Sequence, residues 1–118
     1  MTSLGREPRG GLVVMPDAFM IVHRTSVISL AARNNVPTVY PHSLFLRDGG
    51  LISFGPDYAD LYWRAASYVD RILRGTKPEG LPVEVPVKFE MALNAKTARA
   101  LGLAVPQSIL LRADDVIE

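Results

Sequence analysis

Three observations predict an α/β fold with a mainly parallel sheet and flanking helices. Short apolar or β-type runs occur at residues 11–15, 38–40 and 51–54. Between and after them, apolar residues recur at every third or fourth position, which is the spacing of amphipathic helices. Strand and helix patterns alternate along the chain, which is typical of layered α/β domains. The first strand, helix and second strand form a βαβ unit, whose crossover should be right-handed.

The run at residues 11–15 is continuously apolar, which predicts a strand buried on both faces of a parallel sheet. Pro16 and Asp17 end it. Thr25 or Ser26 can cap a helix that runs to about residue 35. A second strand covers residues 38–40, and a short connecting element leads to the turn signal at residues 49 and 50.

The clearest helix pattern begins at Pro56, which suits the first helical position because its missing N–H is not needed there. Asp57 then lies in the first turn, where negative charge is favoured. Gly75 provides the C-terminal stop. The apolar face of this helix consists of Tyr58, Leu61, Tyr62, Ala65, Val69, Ile72 and Leu73.

Strict alternation of apolar and other residues over positions 83–93 predicts a strand with one buried face. Pro82 and Pro86 cannot donate hydrogen bonds, so its first part should be a sheet edge or a crossing segment. Asn94 can cap a helix ending near Leu101, and the tail can add a helical turn around residues 108–111.

The bulk properties indicate one domain: a flexible N-terminus at residues 1–10 and a single α/β domain at residues 11–118. A net charge of +1 with no basic run gives no support for a nucleic-acid partner. The absence of cysteine excludes disulfides and thiol chemistry. The sequence as printed contains no recognisable export signal or membrane anchor.

No catalytic, metal or cofactor site is predicted. The only histidines, His23 and His42, lack metal-ligand spacing, and His42 is expected to cap the turn after Pro41. No nucleophile elbow, P-loop or dinucleotide motif is present. A protein without enzymatic activity and without cofactors is therefore expected.

Ligands of parallel α/β sheets bind beyond the carboxyl ends of the strands. Asp17 lies at such an end, where it can either accept a bond from a ligand amine or cap the following turn. Asp57 follows another strand, and it can favour the helix start or face a ligand. Tyr58 can pack or line a pocket.

Four phrases carry a resemblance to a known family: residues 50–62 (GLISFGPDYADLY), 65–75 (AASYVDRILRG), 77–83 (KPEGLPV) and 88–106 (KFEMALNAKTARALGLAVP). In this order and spacing they resemble the ABC transporter substrate-binding protein family. Pro16–Asp17 after a buried strand matches the same pattern. The resemblance runs from about Leu12 to Glu118.

This resemblance implies part of a periplasmic binding protein with two α/β lobes and a hinged cleft. It also implies a small-molecule solute such as an amino acid, and an ABC permease as partner. Asp57 would suit an ammonium group and Tyr58 a ring or apolar side chain. The ligand contacts carried over by position are Asp17, Ser53, Phe54, Gly55, Asp57 and Tyr58.

Members of the family are longer and carry an export signal and an N-terminal lobe, so the sequence is expected to be the C-terminal portion only. The surface left by the missing lobe predicts a homo-oligomer. The alternative function is therefore a non-catalytic homodimerising module that binds no small ligand. The resemblance implies a periplasmic location, whereas a chain starting at Met1 without a signal peptide would be cytoplasmic.

Overall fold

The computed structural model describes residues 1–118 and contains five strands and six α-helices. The strands are β1 (Leu12–Val13), β2 (Thr38–Tyr40), β3 (Ile52–Pro56), β4 (Phe89–Asn94) and β5 (Asp115–Ile117). The α-helices are α1 (Ala18–Val22), α2 (Arg24–Arg33), α3 (Leu44–Arg47), α4 (Tyr58–Leu73), α5 (Ala95–Ala100) and α6 (Gln107–Leu110). Two 3-10 turns lie at Leu4–Arg6 and Pro78–Gly80. No helix combines the length and the apolar character that crossing a membrane requires.

The five strands form one sheet in the order β1-β2-β3-β4-β5. The pairs β1–β2, β2–β3 and β4–β5 are parallel. The Asn94 N–H donates to the Leu51 carbonyl at 2.8 Å, and the Asp57 N–H donates to the Lys88 carbonyl at 2.9 Å. Residue numbers therefore rise along β3 as they fall along β4, so this pair is antiparallel. The predicted α/β fold with a mainly parallel sheet is confirmed.

The chain folds into two compact units. The first unit comprises residues 1–55 and 90–118, and the second comprises residues 56–89. The first therefore holds the sheet with α1–α3, α5 and α6, whereas the second holds α4, the turn Pro78–Gly80 and the segment after it. The flexible N-terminus at residues 1–10 and the single domain over residues 11–118 stay predictions.

The core of the first unit covers one face of the sheet. Its buried residues are Val14, Ile28, Tyr40, Phe45, Leu46 and Ala92. The rings of Tyr40 and Phe45 stack with their centroids 5.1 Å apart. Helices α2 and α3 supply Ile28, Phe45 and Leu46, so these two helices pack on that face.

The expectation that the first strand is buried on both faces is wrong. Val14 is 4% exposed, whereas Val13 and Met15 are 65% and 68% exposed. The two-residue period of a strand directs Val13 and Met15 away from the core, and β1 is one of the two edge strands of the sheet. An apolar run alone does not distinguish one covered face from two.

Two of the predicted helix starts need correction. Thr25 and Ser26 lie inside α2, whose N-cap residue is His23, and an additional helix upstream, α1, is capped by the Asp17 side chain. Pro56 is the last residue of β3 rather than the first of a helix, and Asp57 is the N-cap of α4. The end of α4 is as expected, since Gly75 has a φ of +103° directly after the cap residue Arg74.

The alternating segment is a strand only from Phe89 to Asn94, and residues 82–88 contain no strand. Pro82 and Pro86 lie in the non-strand part, in agreement with their missing N–H groups. Asn94 caps α5 as expected, accepting the Thr97 N–H at 2.9 Å. The tail adds the expected turn as α6 and also the unexpected β5.

Candidate functional site

The carboxyl ends of β1, β2 and β3 meet at one edge of the sheet in the first unit, since these strands are parallel. A Cβ atom at Gly55 would collide with the carbonyl oxygen of Pro41, so the ends of β2 and β3 approach too closely for any side chain there. This close approach brings the residues after Tyr40 beside the end of β3. The edge is where ligands of such sheets bind.

Asp17 is exposed at this edge and caps α1. Its Oδ1 accepts the Phe19 N–H at 2.7 Å. The second carboxylate oxygen makes no hydrogen bond. Capping and contact with a ligand amine are therefore compatible, because each can use a different oxygen atom.

Ser53 and Phe54 face opposite sides of the sheet. Ser53, which pairs with Tyr40 in the strand register, is 2% exposed and lies on the core side. Phe54 is 53% exposed and offers the larger accessible surface of the two. Their alternation follows from the two-residue period of β3.

His42 caps the turn that leads into α3, as predicted. Its Nδ1 atom accepts the Leu44 N–H at 2.8 Å. No group of three or more His, Cys, Asp or Glu side chains lies close enough together to hold a metal ion.

Asp57, in the second unit, is held from several directions at the start of α4. Its Oδ1 accepts the N–H groups of Ala59 at 2.9 Å and Asp60 at 3.2 Å. Its Oδ2 lies 2.9 Å from the Lys88 ammonium. The hydrogen bond from Lys88, followed by that from the Asp60 N–H, lowers the pKa of the Asp57 carboxyl below its usual value. Tyr58, the first residue of the helix, is half-buried.

Lys88 is the partner that sequence reasoning missed. The alternating pattern places it among the polar positions, but nothing in the sequence links it to Asp57 thirty-one positions earlier. The Lys88 backbone also contacts Asp57, since the Lys88 carbonyl accepts the Asp57 N–H at 2.9 Å. An ammonium ligand at Asp57 would therefore share the carboxylate with Lys88.

A cleft of about 180 Å³ lies within the second unit. It is lined by Leu61, Arg64, Ala65, Tyr68, Glu84 and Val85. Arg64 bridges Asp60 at 2.8 Å and Glu84 at 3.5 Å, and Tyr68 donates to the Pro82 carbonyl at 2.5 Å. Desolvation, and then Glu84, raises the pKa of the Tyr68 hydroxyl. The polar groups of the cleft are thus largely engaged with one another.

The first unit has a larger cleft of about 660 Å³, whose lining includes Arg47, Asn94, Lys96 and Thr97. The Asn94 amide donates to the Leu46 carbonyl at 3.2 Å, and the Thr97 hydroxyl donates to the Gly49 carbonyl at 3.0 Å. No sequence pattern indicates this cleft, because its lining comes from four separate stretches of the chain.

A model of the ABC transporter substrate binding protein family matches residues 4–117. Comparison with curated proteins finds no match. Among solved structures, a conserved domain protein from Vibrio cholerae O1 biovar El Tor is similar, with 25% identity and a TM-score of 0.85. That likeness covers 91% of this chain and 36% of the other.

An ABC domain in complex with L-Trp from Streptococcus pneumoniae is 28% identical with a TM-score of 0.82, covering 91% of this chain and 37% of the other. A ligand-free, open substrate binding protein with adhesive properties from Clostridium difficile shares the fold, with 21% identity and a TM-score of 0.63. This likeness covers 90% of this chain and 36% of the other. The chain therefore spans little more than a third of these structures.

Proposed function

Because the chain belongs to the ABC transporter substrate-binding protein family, we propose that it binds a small solute as the C-terminal portion of an importer's binding component. The observation that supports this most is the meeting of three parallel strand ends beside Asp17, at the edge where such sheets bind ligands.

The proposed solute is an amino acid. In the first unit, the free oxygen of Asp17 suits an ammonium group and the exposed ring of Phe54 suits an apolar side chain, with Ser53 and Gly55 shaping the strand end. In the second unit, Asp57 likewise suits an ammonium group and Tyr58 suits a ring or an apolar side chain. The L-Trp complex of the similar Streptococcus pneumoniae structure supports this solute class.

The wider role follows from the family. We propose that the protein delivers its solute to an ABC permease on the outer side of the cytoplasmic membrane. In cells that have a periplasm, this side is the periplasm. It carries out no catalysis and requires no cofactor in this role.

The test is a thermal-shift and calorimetric titration of the full chain with L-Trp and the other common amino acids. A ligand at a free concentration one hundred times its dissociation constant should stabilise the fold by about 2.7 kcal/mol. Asp17→Asn should weaken binding while keeping the α1 cap, since Asn caps as well as Asp. Glu79→Gln, at a residue whose side chain is 81% exposed, is the matched control and should leave binding unchanged. The absence of any shift at millimolar amino acid would reject an amino acid as the solute.

A homodimerising module is the second candidate. The second unit favours this candidate, because no residue of α4 is buried and Trp63 and Leu73 are 80% and 82% exposed. Light scattering of the purified chain tests it. A monomer at all accessible concentrations would exclude this candidate without affecting the first.

A further inference from the structure

The segment of residues 82–88 is an exposed apolar stretch in the second unit. It runs without helix, turn or bend. Val83, Val85 and Val87 are 98%, 72% and 62% exposed. Apolar side chains repeated at alternate positions and left open to water are typical of a surface that pairs with another chain.

One edge of this segment has unpaired backbone groups. In an extended chain, successive residues direct their N–H and C=O groups to opposite edges. The Lys88 carbonyl accepts the Asp57 N–H, so the edge that bears Lys88 is occupied by the chain itself. Val85 and Val87 face the other edge, where neither makes a hydrogen bond.

The two prolines do not interrupt that open edge. Pro82 and Pro86 are an even number of residues from Lys88, so their missing N–H groups fall on the occupied edge. The donors and acceptors of Val85 and Val87 therefore remain available to an added strand.

We propose that a second copy of this chain pairs antiparallel with residues 84–88, about a twofold axis at Pro86. This deepens the second candidate function and rests on it. The register places Glu84 opposite the partner's Lys88 and Val85 opposite the partner's Val87. Opposite charges and apolar side chains thus face each other on both sides of the axis.

The charges match because Glu84 and Lys88 lie two residues to either side of Pro86 and have opposite sign. Within one copy, Glu84 lies 3.5 Å from Arg64 and Lys88 lies 2.9 Å from Asp57. Pairing would join these two ion pairs into one row of alternating charge across the axis. A parallel pairing in register would instead place Glu84 beside Glu84 and Lys88 beside Lys88.

A cysteine at the axis tests the register directly, since the chain has no cysteine of its own. Directly opposed residues that are not hydrogen-bonded have Cα atoms about 4.5 Å apart, which lies within the range of a disulfide. Pro86→Cys should give a covalent dimer under mild oxidation. Glu79→Cys, an exposed position outside the segment, should remain uncrosslinked at the same concentration. A dimer that Pro86→Cys fails to crosslink would overturn the proposal.

Charge exchange provides a second test, read by sedimentation equilibrium. Glu84→Lys or Lys88→Glu alone places like charges opposite each other twice, and should raise the dimer dissociation constant about tenfold or more. The double variant restores opposite charges across the axis, although both intrachain ion pairs are lost, and should recover dimerisation. A dimer indifferent to both single variants overturns the register alone. A monomeric native chain overturns the dimer as well, and neither result bears on solute binding.

Discussion

The two units use apolar residues in opposite ways. In the first, Tyr40, Phe45 and Leu46 are at most 2% exposed and pack into one core. In the second, α4 is the longest helix of the chain and has no buried residue. Local signals are enough to start and stop a helix, whereas burial depends on what the rest of the chain supplies. The predictions that follow test this difference, from the largest expected effect to the smallest.

Truncation of a core aromatic should separate the units most clearly. Phe45→Ala removes a ring that is fully buried and stacked on Tyr40, and should lower the free energy of unfolding by about 3–5 kcal/mol. Trp63→Ala, on the exposed surface of α4, should change it by less than about 0.5 kcal/mol. Urea denaturation followed by circular dichroism measures both. Similar losses for the two variants would contradict the contrast.

A pair of glycines provides the next comparison. At Gly55 an added Cβ would collide with the Pro41 carbonyl, so Gly55→Ala should cost about 1–3 kcal/mol of stability. At Gly80 no atom lies within 4 Å of an added Cβ, so Gly80→Ala should be close to neutral. Thermal denaturation of both variants checks this, and a neutral Gly55→Ala would show that the strand ends can separate at little cost.

The second unit should respond to acid through Asp57. The pKa of its carboxyl is lowered in the folded chain, so its contribution is fully present above the unfolded value of about 3.9 and is lost as pH falls through the folded value. Asp57→Asn retains a capping side chain but removes the charge that pairs with Lys88.

Asp57→Asn should therefore flatten the decrease in stability on acidification below about pH 4. Urea midpoints measured across that range test it, with Asp70→Asn on the exposed face of α4 as the control. An unchanged pH profile in Asp57→Asn would show that the Lys88 contact contributes nothing to stability.

Exposed ion pairs should show the smallest difference. Arg24 and Asp48 in the first unit lie 2.5 Å apart with both side chains 33% exposed, whereas Arg74 and Asp70 are 78% and 60% exposed. Asp48→Asn should cost up to about 1 kcal/mol and Asp70→Asn less than about 0.5 kcal/mol. Equal costs in thermal denaturation would mean that partial burial does not strengthen the first pair.

Sequence patterns predicted those parts of the fold that depend on neighbouring residues. The end of α4 at Gly75, the cap of Asn94 on α5 and the cap of His42 on its turn all involve groups within a few positions. Strand β5 was missed, because it is held by Asp114, whose N–H donates to the Met91 carbonyl at 2.7 Å and whose carboxylate accepts the Met91 N–H at 2.8 Å. Three residues carry too little periodicity to reveal such a pairing.

The candidate site shows the same limit. The strand ends at Asp17 and Gly55 could be located from the apolar runs before them, and parallel topology then implied a shared edge. Three other features could not be predicted. The burial of Ser53 and the exposure of Phe54 depend on which face of β3 is covered. The pairing of Lys88 with Asp57 depends on a contact between distant parts of the sequence.

The order of the strands in the sheet bears on how the chain reaches its structure. Each strand neighbours the one before it in sequence, so no strand has to insert between two that are already paired. A ribosome that releases the chain from its N-terminus would allow the sheet to grow outward from β1, one strand at a time. Such neighbour-by-neighbour pairing keeps the sequence separation of contacts smaller than the insertion of a later strand would. The exception is the detour through residues 56–89, after which β4 has to return to β3, and closing this loop is the step expected to limit the folding rate.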